Sequence, residues 1–141
     1  DGSMSEMCGN GIRCLAKHAY DFGIVKKDSF TINTLAGNLK ADITKKNGKA
    51  ASVRIDMGAP ILDAKKVPVN AIGKYLDRPF EACDIEFAAS AVSMGNPHFV
   101  TFSELTDEQV LKLGPALEKH KFFPKKTNVE FCRLIDGKIF I

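Results

Sequence analysis

The chain has 141 residues, 45% of them hydrophobic, with 20 Lys and Arg against 17 Asp and Glu for a formal charge of +3. That length and apolar content suit one ordinary domain or two small ones with a real core. The charges fall in short pairs such as Lys65-Lys66 rather than in a basic block, which argues against a nucleic-acid surface and leaves room for a small anionic substrate.

No run of 18 apolar residues and no signal-peptide pattern occurs, so no membrane partner is expected and the compartment read from sequence is cytoplasmic. Cys8, Cys14, Cys83 and Cys132 are too few for a secreted disulfide scaffold and lack the paired short spacings of a zinc site. They read as free thiols, with no metal.

Asp1-Gly2-Ser3 carries turn chemistry, and a helix is predicted from about Gly9 to Phe22, with Gly23 as its stop. Ile12, Leu15, Ala16 and Ala19 recur at i, i+3, i+4 and i+7. Arg13, Lys17 and Asp21 form a polar stripe, and apolar residues fill most of the remaining circumference, which predicts burial on several sides, with Cys14 as packing. Cys8 falls at the helix start, where unpartnered amides and the positive end of the macrodipole favour a thiolate and can bind a carboxylate. Read alone, the same residues fit a small buried cysteine before a glycine turn equally well.

Three strands are predicted next, Phe30 to Thr34, Leu39 to Thr44 and Ser52 to Met57, with turns at Leu35 to Asn38 and at Asn47-Gly48, the latter a strong hairpin signal. An antiparallel meander beside a helix gives the α+β class. Gly58-Ala59-Pro60 breaks the pattern, and Pro60, Pro68 and Pro79 punctuate a stretch of little regular repeat, so a domain boundary is placed near residues 57–60, dividing the chain into 1–57 and 58–141.

Ile85, Phe87, Ala89 and Ala91 alternate in a further strand, Gly95-Asn96-Pro97-His98 turns a corner, and Phe99 to Phe102 continues. Thr106 with Gln109 has capping-box spacing for a short helix that Gly114-Pro115 is expected to end, with another turn or two from Ala116 to His120. Val129, Phe131 and then Arg133 to Leu134 read as strand, and Lys138 to Ile141 as the start of another. His18 and His120 read as structural; Cys132, in a strand pattern, lacks the free amides a thiolate needs.

Met7-Cys8-Gly9-Asn10-Gly11-Ile12-Arg13-Cys14, preceded by Asp1-Gly2-Ser3, resembles the first catalytic motif of the diaminopimelate epimerase family, and Gly95-Asn96-Pro97-His98 and Thr127-Asn128-Val129-Glu130-Phe131 follow in the family's order. The resemblance implies an isomerase that needs no pyridoxal phosphate or other cofactor, with diaminopimelate as its small-molecule substrate. It also implies two domains, each a curved, mostly antiparallel sheet wrapped around a central helix, here incomplete, and it allows a homodimer.

By that resemblance Cys8 is one of two catalytic cysteines, Gly9 and Asn10 offer amides to a substrate carboxylate, Asn96 and Asn128 bind the substrate's polar groups, and His98 tunes the cysteines. It covers the middle of the family's sequence, so the chain reads as a piece of something longer, without the second cysteine motif and inactive alone. Two alternatives stand beside it. One is another two-cysteine isomerase of the proline racemase-like group, whose first motif commonly has histidine where this chain has Asn10. The other is a non-catalytic small-anion-binding module.

Overall fold

The computed structural model describes residues 7–141, so the expected turn at Asp1-Gly2-Ser3 lies outside the described residues. Two compact units divide the chain, 1–59 and 60–141.

In the first unit, helix α1 (Gly9–Asp21) precedes an antiparallel meander, β1 (Ser29–Thr34), β2 (Gly37–Lys46) and β3 (Lys49–Asp56), in the order β1-β2-β3. The helix ends where Gly23 takes φ +71 and its amide bonds Tyr20 O, the left-handed stop that glycine adopts without a Cβ penalty. Leu35 and Ala36 alone form the first turn, because Gly37 and Asn38 already pair with Thr34 and Asn33. Asn47 (φ 53) and Gly48 (φ 75) are both left-handed, the backbone a two-residue hairpin turn requires to match strand twist.

Alternation in β2 buries Ala41 and Ile43, which meet Ala16 of α1 and Ala50 of β3, with Tyr20, Phe30, Ile32, Val53 and Ile55 packed around them. Burial of α1 is one-sided: Ile12 and Ala16 are its buried residues, whereas Leu15 is 54% exposed and Cys14 is exposed. The expectations of burial on several sides and of a packed Cys14 are therefore corrected. The three strands cover only the Ile12–Ala16 stripe, and Cys14, two positions from either residue on a 100° helical step, points away from it.

Asp21 ties the C-terminal end of α1 to β3. Its Oδ1 accepts from the Ala50 amide at 2.7 Å and its Oδ2 from Lys17 Nζ at 2.8 Å, while Lys49 Nζ donates to its carbonyl at 2.9 Å. The hydrogen bond from Lys17, followed by that from Ala50, holds the Asp21 carboxyl below the ordinary carboxylate range.

In the second unit, β4 (Arg78–Ala82), β5 (Ile85–Ser93), β6 (Pro97–Thr101) and β7 (Asn128–Phe131) form a sheet in that order. The β4-β5 and β5-β6 pairs are antiparallel, and β6-β7 is parallel across a connection through helix α2 (Asp107–Glu118). β4 was not read from the sequence because of Pro79; a proline is tolerated there because β4 is the edge strand.

Thr106 caps α2 with Gln109 in a reciprocal capping box. Against expectation, Gly114-Pro115 does not end this helix. Leu113 and Leu117 are both fully buried one turn apart, and their burial outweighs the bond lost at Pro115, whose would-be acceptor residue, Leu111, is 77% exposed. A last hairpin, β8 (Arg133–Ile135) with β9 (Lys138–Phe140), forms its own two-stranded sheet.

The core of this unit is aromatic. Phe99 on β6 is fully buried, with Phe80, Phe87, Phe122, Phe123 and Tyr75 at ring-centroid distances of 5.0, 6.4, 6.2, 4.8 and 6.1 Å. Tyr75 donates its hydroxyl to Pro79 O at 2.7 Å, and burial raises its pKa.

Two outcomes test this account. Phe99→Ala is expected to destabilise the second unit by about 3–5 kcal/mol, read by denaturant unfolding. Because the Asp21 carboxyl lies lower folded than unfolded, its contribution is complete above the ordinary carboxylate range and is lost as pH falls through the folded value. Protection of the Ala50 amide, its exchange taken relative to the intrinsic rate at each pH, should therefore fall on acidification in the wild type and be low and insensitive to this step in Asp21→Ala.

Candidate functional site

Cys8 is the N-cap of α1. Its backbone is extended (φ −137, ψ 104), its carbonyl accepts from Ile12 N at 2.9 Å in the first helical bond, and its Sγ accepts from Gly11 N at 3.2 Å. Of the amides that a helix start leaves open, that of Gly11 is thus taken by the cysteine's own sulfur. Those of Gly9 and Asn10 have no partner among the described residues. No acidic residue occupies the first turn, so the positive end of the helix dipole is left for a thiolate or an external anion.

The glycines here do different work. A Cβ on Gly11 would lie 3.3 Å from Cys8 Sγ, so Gly11 is what lets the sulfur fold back over the helix start. A Cβ on Gly9 would meet only Met57 Cε at 4.0 Å, so the protein itself has room for a side chain there; its absence leaves the amide open.

Hollows lie on both sides of this helix start. One, of about 220 Å³, is lined by Met7, Cys8, Gly11, Ile12, Leu15 and Leu35 among others. The second, of about 400 Å³, runs past Gly9, Asn10, Arg13 and Arg54. Asn10 Oδ1 accepts from the Arg13 guanidinium, and the two arginines make this side cationic, which suits a carboxylate.

A second group forms in the other unit, at the corner between β5 and β6. Ser93, buried at the end of β5, accepts from Gly95 N at 3.2 Å, and Gly95 takes φ +107, a conformation that L side chains avoid. The turn presents Asn96 beside His98, whose Nε2 lies 3.0 Å from Asn96 Oδ1. Register in the parallel pair sets His98 against Asn128, and Asn128 Nδ2 donates to Pro97 O at 2.9 Å. Asn96, His98 and Asn128 are thus brought together within this unit, as Cys8, Gly9 and Asn10 are within theirs.

Glu130, two residues along the strand from Asn128, completes the group with Oε1 2.6 Å from His98 Nδ1. The sequence shows only half of this: a period of two places residues 128 and 130 on one face of a strand, but the approach to His98 comes from the pairing of β6 with β7.

The other thiols sit in different settings. Cys132 is buried, and burial followed by the Glu130 charge pushes its thiol up. Cys14 is exposed inside the helix, and Cys83 is partly buried in the left-handed turn after β4. Among the described residues no cluster of His, Cys, Asp and Glu could hold a metal, and no helix is long and apolar enough to cross a membrane.

The family model described as diaminopimelate epimerase matches residues 1–62. Curated diaminopimelate epimerases are similar along nearly the whole chain. That of Methanococcus maripaludis strain S2 is 48% identical over 138 residues, 96% of this chain and 50% of the relative, and that of Moorella thermoacetica is 43% identical over the same shares. The chain therefore spans about half the length of the curated relatives it matches.

Among solved structures, a hydroxyproline epimerase from Agrobacterium vitis with bound trans-4-hydroxy-L-proline superposes with a TM-score of 0.61 at 17% identity, over 91% of this chain and 42% of that one. A probable proline racemase from Agrobacterium radiobacter K84 with bound carbonate gives 0.56 at 17% identity, over 80% and 33%. At that identity the likeness is one of α+β fold. The sequence matches are far stronger: the family model spans the Cys8 motif, the curated relatives are matched along nearly the whole chain, and over the half of those relatives that it covers the chain is similar to diaminopimelate epimerases.

Proposed function

We propose that this chain is part of a cofactor-independent amino-acid epimerase that interconverts LL- and meso-diaminopimelate by proton transfer between cysteines. The observation that carries the reading is the meeting, in one turn of helix, of the Cys8 sulfur with the Gly9 and Asn10 amides, which have no partner among the described residues.

Taking a proton from an amino-acid α-carbon leaves a carbanion whose charge spreads into the adjoining carboxylate, and fixed amide dipoles at that carboxylate stabilise it as it forms. Gly9 and Asn10 have this role, with Arg13 and Arg54 adding positive charge along the hollow. Cys8 removes the proton as thiolate, or returns one as thiol, on one face of the carbon. The electron pair stays on the substrate until a thiol on the opposite face donates its proton, which inverts the centre and leaves the two sulfurs with exchanged protonation states.

Neither Cys14, Cys83 nor Cys132 sits at a glycine-flanked helix start, so the second sulfur is not among them. Asn96 and Asn128 bind the substrate's polar groups, and His98 tunes the cysteines. Chemistry that depends on reduced thiols belongs in a reducing compartment, and we place the protein in the cytoplasm.

Iodoacetamide is expected to label Cys8 before Cys14, which is also exposed, and well before the buried Cys132, with the first phase absent in Cys8→Ala; first labelling at Cys14 would remove the helix-start argument. For activity, deuterium uptake at the α-carbon and chiral analysis of the product are followed for the 141-residue chain and for a form extended to the length of the curated relatives. The extended form should invert diaminopimelate and lose roughly a thousand-fold or more on Cys8→Ala, while the 141-residue chain alone should give negligible inversion. Rapid inversion by the short chain would sink the two-cysteine assignment, and an inactive extended form would count against the substrate.

A further inference from the structure

The tautomer of His98 is set by what surrounds it. Both ring nitrogens are engaged, Nδ1 with Glu130 Oε1 at 2.6 Å and Nε2 with Asn96 Oδ1 at 3.0 Å, with the two side chains of the ion pair only 25% and 21% exposed. A carboxylate can only accept, and in an imidazole–carboxyl pair the ring nitrogen is ordinarily the more basic partner, so the proton between them sits on Nδ1. Glu130 Oε2 is buried with no partner among the described residues, which leaves the ring N–H as the donor this carboxylate has.

Once Nδ1 keeps its proton in every state of the ring, Nε2 is the only nitrogen left to gain or lose one. In the charged ring Nε2–H donates to Asn96 Oδ1. In the neutral ring Nε2 is a bare acceptor, which cannot stay against a carbonyl oxygen, and Asn96 must turn its amide so that Nδ2 donates instead.

We propose that Glu130 is a positioning residue that locks the proton on His98 Nδ1, confines proton exchange to Nε2, and thereby makes the orientation of the Asn96 amide follow the charge of the ring. Asn96 then presents its NH2 group outward when the ring is charged and its carbonyl outward when the ring is neutral, a choice between receiving an anionic and a cationic group of a bound amino acid. That last consequence rests on the epimerase reading; the proton assignment does not. The cross-strand neighbours of His98 are Val92 on β5 and Asn128 on β7, neither of them ionisable, so among the described residues Glu130 is the charged group on this ring.

The test is ring ¹⁵N spectroscopy of the intact 141-residue chain, with the His98 signals assigned by their loss in His98→Gln. In alkaline buffer the neutral wild-type ring is expected to carry its proton on Nδ1. Glu130→Ala should move the proton to Nε2, and Glu130→Gln, whose amide oxygen still accepts, should restore it to Nδ1. The Asn96 side-chain NH2 signals should shift through the same pH interval as Nε2 in the wild type.

A wild-type ring protonated on Nε2 in alkali, or a ring that keeps Nδ1–H in a folded Glu130→Ala, overturns the proposal. The wild-type spectrum decides even if the alanine variant does not fold. Because no substrate enters the measurement, its failure is distinguishable from failure of the epimerase reading, which the inversion assay tests separately.

Discussion

A strand can send only every second side chain into a core, and in the second unit that constraint is spent on Phe99. With Phe99 and Thr101 buried, His98 and Val100 must lie on the opposite face of β6. The parallel register with β7 then brings Asn128 and Glu130 beside His98, and the tight corner at Gly95 brings Asn96 to its other nitrogen. A one-residue slip would put the phenyl ring in solvent and the imidazole in the aromatic core, so the geometry of the polar group is set by an apolar contact on the far side of the sheet.

The first unit reaches the same end by a different route. Its core is small, built from alanines and isoleucine around Ala16, and α1 lies against the sheet by a narrow stripe. What ties the helix to the sheet is polar, the Asp21 carboxylate and the Lys17 ammonium meeting Ala50 of β3, while the folded-back Cys8 sulfur caps the other end. Cys8 is therefore held by backbone groups of its own helix, beside a hollow that Met7, Ile12, Leu15 and Leu35 line.

Much of this was legible in the sequence. The Asn47-Gly48 hairpin, the alternation in β2 and β5, the Thr106 capping box and the helix start at Cys8 all follow from local chemistry that a handful of neighbouring residues settle among themselves. What was not legible depended on partners far along the chain. Pro79 looks like a strand breaker unless one knows that it lies on an edge, and Gly114-Pro115 looks like a helix end unless one knows that Leu113 and Leu117 are both buried. Cys14 looks like core on a helix wheel, but only the number of strands that cover the helix decides which apolar stripe is used. Glu130 went unread for the same reason, since the distance between residues 98 and 130 closes only through the parallel pairing of β6 and β7.

The hairpin of β8 and β9 has a practical consequence. Leu134, Ile135, Ile139 and Phe140 are all about half exposed or more, on a two-stranded sheet with no third strand among the described residues. Such a ribbon offers unpaired backbone groups and apolar side chains together, a template for edge-to-edge pairing with another copy. A formal charge of only +3 on 141 residues gives little mutual repulsion to oppose it. Handled by itself, the chain should associate as its concentration rises, and a lysine on this ribbon, at Ile135 or Ile139, is the gatekeeper that would keep it dispersed.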